Sequence, residues 1–422
     1  MAEIRHTNNV TTIKTNKFKT TLIKVSFKSR LMRETITART LLPNVLRRSS
    51  QAFPSKKALN THLENLYGAS LSVATKKQGA LHVISFYIQV TNEKFLQSAP
   101  PLFSDALKTM EEIIFNPDLV EGHFNPEVLT LEKRLLKEDI ESIYDDKTTF
   151  ALKKMLSYMC EEEGFGVNGD GYVEDLVNID EKTLVDTYRA MLRSDELTVK
   201  VVGDVDHDEI MPLFNQHFST KKACHLSSLV VDQEEKDFDD VTTLNEMQDI
   251  SQTKLNIGYR TYTRVTDPDY FALLVFNGIF GAFAHSKLFT NVREKESLCY
   301  YCAAQLDNFK GLMYVYSGLD LTQVDKAVTI IDQQLADVVN GDVTETELTL
   351  AKKSIVNAKR ESLDSMTGVM ADLEMGELLG LTADEFARKV EEITLDEVRA
   401  VAKKIRKDTV FVLESEVAED GS

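Results

Sequence analysis

At 422 residues the chain exceeds what one ordinary hydrophobic core supports, so two domains are expected. Its 43% hydrophobic and 27% charged residues are those of a globular protein, and a net charge of −18 excludes a general nucleic-acid binder, since a polyanion is repelled without a strong basic face. No run approaches the roughly eighteen apolar residues of a membrane helix, and Met1-Ala2-Glu3-Ile4-Arg5-His6 begins no signal peptide, so the expectation is a cytoplasmic chain with no membrane partner.

In chain order, alternation over residues 18–27 predicts a strand and residues 37–46 an apolar helix. Ser55 can cap a second helix whose Leu59, Leu63 and Leu66 share one face and which Gly68 ends. Residues 71–74 and 80–90 read as a hairpin turning over Lys76-Lys77-Gln78-Gly79. Helices are predicted over residues 103–115, 126–144 and 148–160, a glycine-bearing loop over 164–171, a polar helix over 180–193 and a β-branched strand over 197–202. Residues 221–249, charged and without a core period through Glu234-Glu235-Lys236-Asp237, read as an exposed linker.

Beyond it the order returns: a strand over residues 253–262, helices over 268–280 and 286–296, a hairpin over 299–319, helices over 324–339, 344–364 and 394–406, and a strand over 409–413. Short echoes keep step with this. Leu129-Thr130-Leu131-Glu132-Lys133 reappears as Leu348-Thr349-Leu350-Ala351-Lys352, an offset of 219 (348 − 129), and residues 172–179 reappear at 386–393. Such a pattern indicates duplication of a domain of about two hundred residues. The expected class is α+β, with two homologous domains at 1–220 and 250–422, each a mainly antiparallel sheet with helices on one face.

Reactive side chains are sparse. Cys299 and Cys302 have CxxC spacing, but in a flat strand positions three apart face opposite sides, so a redox or metal pair is not expected. His62 beside Glu64, and His207 beside Glu209, lack the i, i+4 spacing that points two ligands the same way, and read as ordinary polar residues. No phosphate-binding loop or Gly-x-Ser-x-Gly elbow is present.

The most specific motif is Asn291-Val292-Arg293-Glu294-Lys295-Glu296-Ser297-Leu298-Cys299-Tyr300. It resembles the second-domain "LREKxGLxY" segment of the M16 metallopeptidases, the pitrilysin, insulysin and mitochondrial processing peptidase family. The stretches Phe276-Asn277-Gly278-Ile279-Phe280 and His285-Ser286-Lys287-Leu288-Phe289, and the strand end Val201-Val202-Gly203-Asp204-Val205-Asp206, resemble further motifs of that family in the right order. Within it the chain is most similar to the bacterial YmfF/YfmF group.

The resemblance implies zinc bound by H-x-x-E-H in the first domain, with the Glu as general base and a distal acidic ligand on a later helix. The eight histidines here begin no such motif. By alignment its ligand positions hold Leu41 and Val45, its base position holds Asn44, and the distal position falls near Asp139. Alkyl groups do not ligate zinc and an amide is no carboxylate base, so no catalytic residue and no cofactor is expected in this chain; zinc is expected only in a partner subunit. Arg293 and Tyr300, seven residues apart, match the family's substrate-binding pair, which holds a peptide carbonyl through hydrogen-bond donors. Glu296-Ser297 replaces the family's basic-Gly pair, which predicts a shifted turn. The implied role is a non-catalytic subunit that forms a peptide-binding chamber with an H-x-x-E-H partner as a heterodimer, or with itself as a homodimer. An active peptidase with other ligands, and a structural or peptide-binding module, are the alternatives.

Overall fold

The computed structural model describes residues 3–97, 100–218, 230–234 and 236–415. Cys224, His225 and residues 221–229 of the expected linker lie outside these. Two compact units result: one gathers the chain up to Ser142 with Val167–Val230, the other Ile143–Gly166 with the chain from Val231 onward.

The first unit opens with β1 (Glu3–Thr7), β2 (Val10–Lys14) and β3 (Thr20–Arg30), followed by helices α1 (Ile36–Arg48) and α2 (Lys56–Asn65). Ser55 caps α2 by accepting from the Ala58 amide at 3.2 Å. The hairpin β4 (Ser70–Gln78) and β5 (Leu81–Thr91) is tighter than expected, because Lys76, Lys77 and Gln78 continue the strand and only Gly79 and Ala80 turn. After α3 (Leu102–Phe115) and the two-residue strands β6 (Leu119–Val120) and β7 (His123–Phe124) come α4 (Pro126–Ser142) and α5 (Lys147–Met159). Helix α6 (Glu181–Ser194), β8 (Glu196–Gly203) and α7 (His207–Phe218) complete the first half of the chain.

The sheet runs β1-β2-β8-β3-β5-β4, antiparallel except between β2 and β8. Alternation fixes its register. Val25 pairs with Phe86 on one side and Val199 on the other, and these join Ile23, Phe27 and helices α1 and α3 in one core. The intervening Lys24 and Ser26 pair with Lys200 and Ser85 on the opposite face.

In the second unit β9 (Thr242–Gln248) and β10 (Thr253–Arg260) lead to α8 (Tyr270–Asn277), which widens into a π-type turn at Gly278–Ala282. A second π-type segment, Phe289–Lys295, precedes the hairpin β11 (Cys299–Asp307) and β12 (Leu312–Leu319). Helices α9 (Val324–Asn340), α10 (Glu345–Ser362), α11 (Met366–Leu379), α12 (Ala383–Glu392) and α13 (Leu395–Ala402) follow, then β13 (Arg406–Ser415). Capping boxes at Thr344–Glu347, Thr382–Glu385 and Thr394–Glu397 set three of the helix starts.

This sheet runs β11-β12-β10-β13-β9, with β9 parallel to β13. It repeats the first sheet's order β4-β5-β3-β8-β2, including the parallel outer pair. The duplicated α+β fold is therefore present strand by strand.

Two boundaries differ from those expected. Residues 242–248, inside the expected linker, form β9. Residues 143–166, expected in the first domain, belong to the second unit. The reason is apolar matching: Ala151 and Met155 of α5 cover Phe411 and Leu413, while Met159 packs with Leu312. Gly258 of β10 makes the approach possible, since a Cβ there would stand 2.6 Å from the Met159 sulfur. The second sheet is thus covered on both faces.

Charge then locks α5 in place. The Arg260 guanidinium donates to Glu163 at 2.5 Å, to Asp408 at 2.7 Å and to the Met159 carbonyl at 3.0 Å. Lys310, in the β11–β12 turn, reaches the other Glu163 oxygen at 2.6 Å and Asp232 at 3.3 Å. All five side chains are buried, so each charge depends on its partners. Burial pushes the Glu163 carboxyl up, but Arg260 and Lys310 outweigh it and hold it below the usual carboxylate range. A depressed folded-state value means this stabilisation is complete at neutral pH and lost as pH falls through that value. Glu163→Ala should cost about 3–5 kcal/mol in denaturant unfolding at pH 7, and less at acid pH where the wild-type carboxylate is itself protonated. Equal losses at both pH values would refute the network's role.

Candidate functional site

Helix α1 carries the first group of residues singled out by the sequence. Leu41 and Val45, at 0% and 2% exposure, lie one turn apart and point into the first unit's core. Asn44 borders a small cavity of about 50 Å³ with Arg47, Arg48, Lys56, Asn60 and Glu132. Asp139 is exposed on α4. The carboxylate facing α1 is instead Glu132, two turns earlier, buried and accepting from Arg48 Nε at 3.0 Å. Burial pushes its carboxyl up against the opposing pull of Arg48.

Sequence reading passed over Glu132, although its echo in the second copy, Ala351, marked the position as one where the copies differ. A zinc ion needs three or four nitrogen, oxygen or sulfur donors. Here two positions are alkyl, one is an amide, and the single carboxylate already has a guanidinium beside it that would repel a dication. These residues do not fit the metal. Among the described residues, no three His, Cys, Asp or Glu side chains gather as a ligand set anywhere.

The other histidine candidates are structural. Both ring nitrogens of His207 are engaged, by Thr7 and Thr12 hydroxyls at 2.8 Å each, while Glu209 points to solvent. His62 bonds the Thr109 hydroxyl at 2.9 Å and packs on Phe53, and Glu64 is exposed. Removing Arg48 should leave Glu132 buried without its hydrogen-bonded guanidinium, with only the weaker pull of Arg47 and Lys56. Arg48→Ala is expected to cost about 1–3 kcal/mol, with Glu132→Gln in that background recovering most of it; a purely additive double variant in thermal unfolding would show that the two do not interact.

The second group lies at the edge of the second unit's sheet. Val292, fully buried, anchors the π-type segment Phe289–Lys295, and Arg293 on its exposed side stacks its guanidinium 4.4 Å from the Phe289 ring. The Glu296 amide bonds back to the Asn291 carbonyl and the Leu298 amide to the Val292 carbonyl, closing the segment. Ser297 makes the turn with φ of 52°, in the left-handed region that favours glycine. The turn is therefore made at the position where the family motif has Gly, and serine absorbs the strain.

Strand β11 then starts with a bulge. Cys299 pairs with Leu319 and Tyr301 with Gly318, so Tyr300 is the extra residue, 82% exposed. Gly318 makes room there: a Cβ would stand 2.4 Å from the Gln252 side-chain oxygen and 2.8 Å from the Tyr301 ring. Arg293 and Tyr300 are thus presented by one short connection, both exposed, on an end strand of the sheet.

The bulge also reverses the expectation for the cysteines. One inserted residue shifts the alternation, so Cys299 and Cys302 fall on the same side, where each thiol shifts the titration of the other. The Cys302 thiol as donor, then Ser317 and the positive charge of Arg293, bring the half-buried Cys299 down to about 7 against the burial that raises it. The same bond, with burial, pushes Cys302 up. Because the lowered value favours thiolate, alkylation of Cys299 should rise through about pH 7 and level off above about pH 8, where an ordinary thiol is still climbing. Cys302→Ala should move that midpoint upward; an unmoved midpoint would remove Cys302 as its cause.

Residues 178–355 match the family described as the Peptidase M16 inactive domain. The chain is 35% identical over 403 residues, 95% of its length and 94% of the relative's, to a protein of Bacillus subtilis named "Probable inactive metalloprotease YmfF". The chain belongs to the M16 peptidase family. It is an inactive-type, M16 peptidase-like protein, without the H-x-x-E-H motif. An uncharacterized zinc protease of Mycobacterium leprae is 24% identical over 68% of this chain and 66% of its own. The solved structure of a conserved protein from Enterococcus faecalis superposes with a TM-score of 0.89 at 32% identity, covering 99% of this chain and 100% of that one. A peptidase M16 inactive domain from Pseudomonas fluorescens has the same fold, with a TM-score of 0.79 at 16% identity over 100% of both chains. Among the described residues no helix is long and apolar enough to cross a membrane.

Proposed function

We propose that this chain is the non-catalytic subunit of a two-subunit peptidase, helping to form a peptide-binding chamber with an H-x-x-E-H partner that holds the zinc. One observation carries the reading: the donors for a substrate carbonyl, Arg293 and Tyr300, are exposed at the start of an end strand, while the zinc positions Leu41, Asn44 and Val45 hold no ligand. A phenol and a guanidinium both donate to a carbonyl or to the oxyanion formed from it, and neither needs a metal in its own chain. An end strand also offers unpaired backbone groups to an extended peptide. Bacillus subtilis has both the YmfF relative and a 23% identical protein named "Uncharacterized zinc protease YmxG", so a zinc-type homologue is at hand there in which to test the pairing. A homodimer that binds peptides without cleaving them is the second arrangement compatible with these residues.

Co-expression with the H-x-x-E-H homologue of the same genome should yield a stable complex containing zinc in that subunit alone. Peptide cleavage should require both chains. Arg293→Ala and Tyr300→Phe in this chain should each lower kcat/KM of the pair by about 10²-fold while leaving the complex intact. Full cleavage by the zinc subunit alone would end this proposal, and so would stoichiometric zinc with cleavage by this chain alone. Unchanged activity in both variants would mark the chain as a structural subunit.

A further inference from the structure

The pair Cys299 and Cys302 has chemistry that holding a peptide does not use. In a flat strand residues three apart span about 10 Å and face opposite sides, which no disulfide can bridge, because its Cα atoms must lie within about 7 Å. The bulge at Tyr300 changes this: Cys299 now pairs with Leu319 and Cys302 with Ser317, positions two apart on one face of β12, so the two cysteines share that face instead of opposing each other. Their environments are unequal. Cys299 is half-buried at the strand start, whereas Cys302 is 2% exposed, opposite Ser317 in the register. That is the arrangement of an attacking thiol backed by a resolving one. Arg293 adds a positive charge near Cys299. Cys160, another described cysteine, is fully buried.

We infer that Cys299 and Cys302 form a thiol–disulfide exchange site that accepts low-molecular-weight disulfides and closes into an intramolecular disulfide across the bulge. The Cys299 thiolate attacks one sulfur of the small disulfide, forming a mixed disulfide and releasing one thiolate. Cys302 gives up its proton, attacks Cys299 Sγ, forms the Cys299–Cys302 bond and releases the second thiolate. Two protein thiols are oxidised and one small disulfide is reduced to two thiols. The ring so closed contains Tyr300 and Tyr301, so oxidation tightens the bulge that presents Tyr300. The site stands on the strand geometry alone and holds whether or not peptides bind there.

The test uses the reduced full-length chain and glutathione disulfide, followed by alkylation after unfolding and peptide mapping by mass spectrometry. The expected product is a disulfide within the peptide carrying residues 299 and 302, with Cys160 still alkylated. Cys302→Ser should instead accumulate glutathione on Cys299. In Cys299→Ser, glutathionylation mapped to Cys302 should be at least about tenfold slower than that mapped to Cys299 in the wild type, because Cys302 is buried and weakly ionised. A wild-type chain that stops at the mixed disulfide, or in which both cysteines remain alkylatable, overturns the inference. So does a Cys299→Ser variant in which Cys302 is modified as fast as Cys299 is in the wild type. The wild-type map decides the matter even where a variant fails to fold.

Discussion

A buried positive charge has to be matched where it lies, and Arg260, at the end of the central strand β10, sets that requirement. Its guanidinium takes Asp408 from the neighbouring strand and Glu163 from a segment far earlier in the chain. Lys310 shares Glu163, so the turn of the β11–β12 hairpin is tied to the same carboxylate. Breaking such a set exposes a charge to a low-dielectric interior, which is costlier than never having buried it. The consequence is architectural. The segment after α4 leaves its own half of the chain, α5 covers the second face of the sheet, and the hairpin is clamped at its tip. The other end of that hairpin is left free to carry the bulge and Tyr300.

The two copies have diverged by exchanging chemistry while keeping topology. Strand order and the parallel outer pair repeat. At one equivalent position the first copy has Glu132, paired with Arg48, and the second has Ala351, whose methyl lies 3.1 Å from where a Gly278 side chain would begin. In the first copy a guanidinium stands beside the carboxylate that faces α1, and alkyl groups stand at the ligand positions. In the second, the connection from the π-type segment to β11 places its donors outward. What sets the two copies apart is therefore a handful of side chains on a common frame.

The bulge shows how one backbone irregularity governs several side chains. Inserting Tyr300 exposes its phenol, turns Tyr301 onto Gly318, and puts Cys299 and Cys302 together. Ser297 at positive φ and the π-type segment before it belong to the same device, since both re-aim the chain into the strand.

Periodicity, caps and the internal echoes were enough to reveal the duplicated α+β fold and most of its longer helices and central strands, because those features are written in neighbouring residues, while β1, β2, β9, α7, α11 and α12 went unread and the loss of the zinc motif was legible only through the family resemblance. The Ser55 cap and the alternation through Val25 are local facts with local causes. Partners distant in sequence were not legible. Nothing near Glu163 announces Arg260, nothing in residues 147–159 says which sheet α5 will cover, and Glu132 rather than Asp139 faces α1 only because two helices cross where they do. The CxxC spacing predicted opposite faces, and a register shift set by the facing strand reversed it. Sequence by itself determined which elements form and which chemistry is missing; tertiary structure alone decided which side chains meet, since burial of charge and strand register depend on residues far away in the chain.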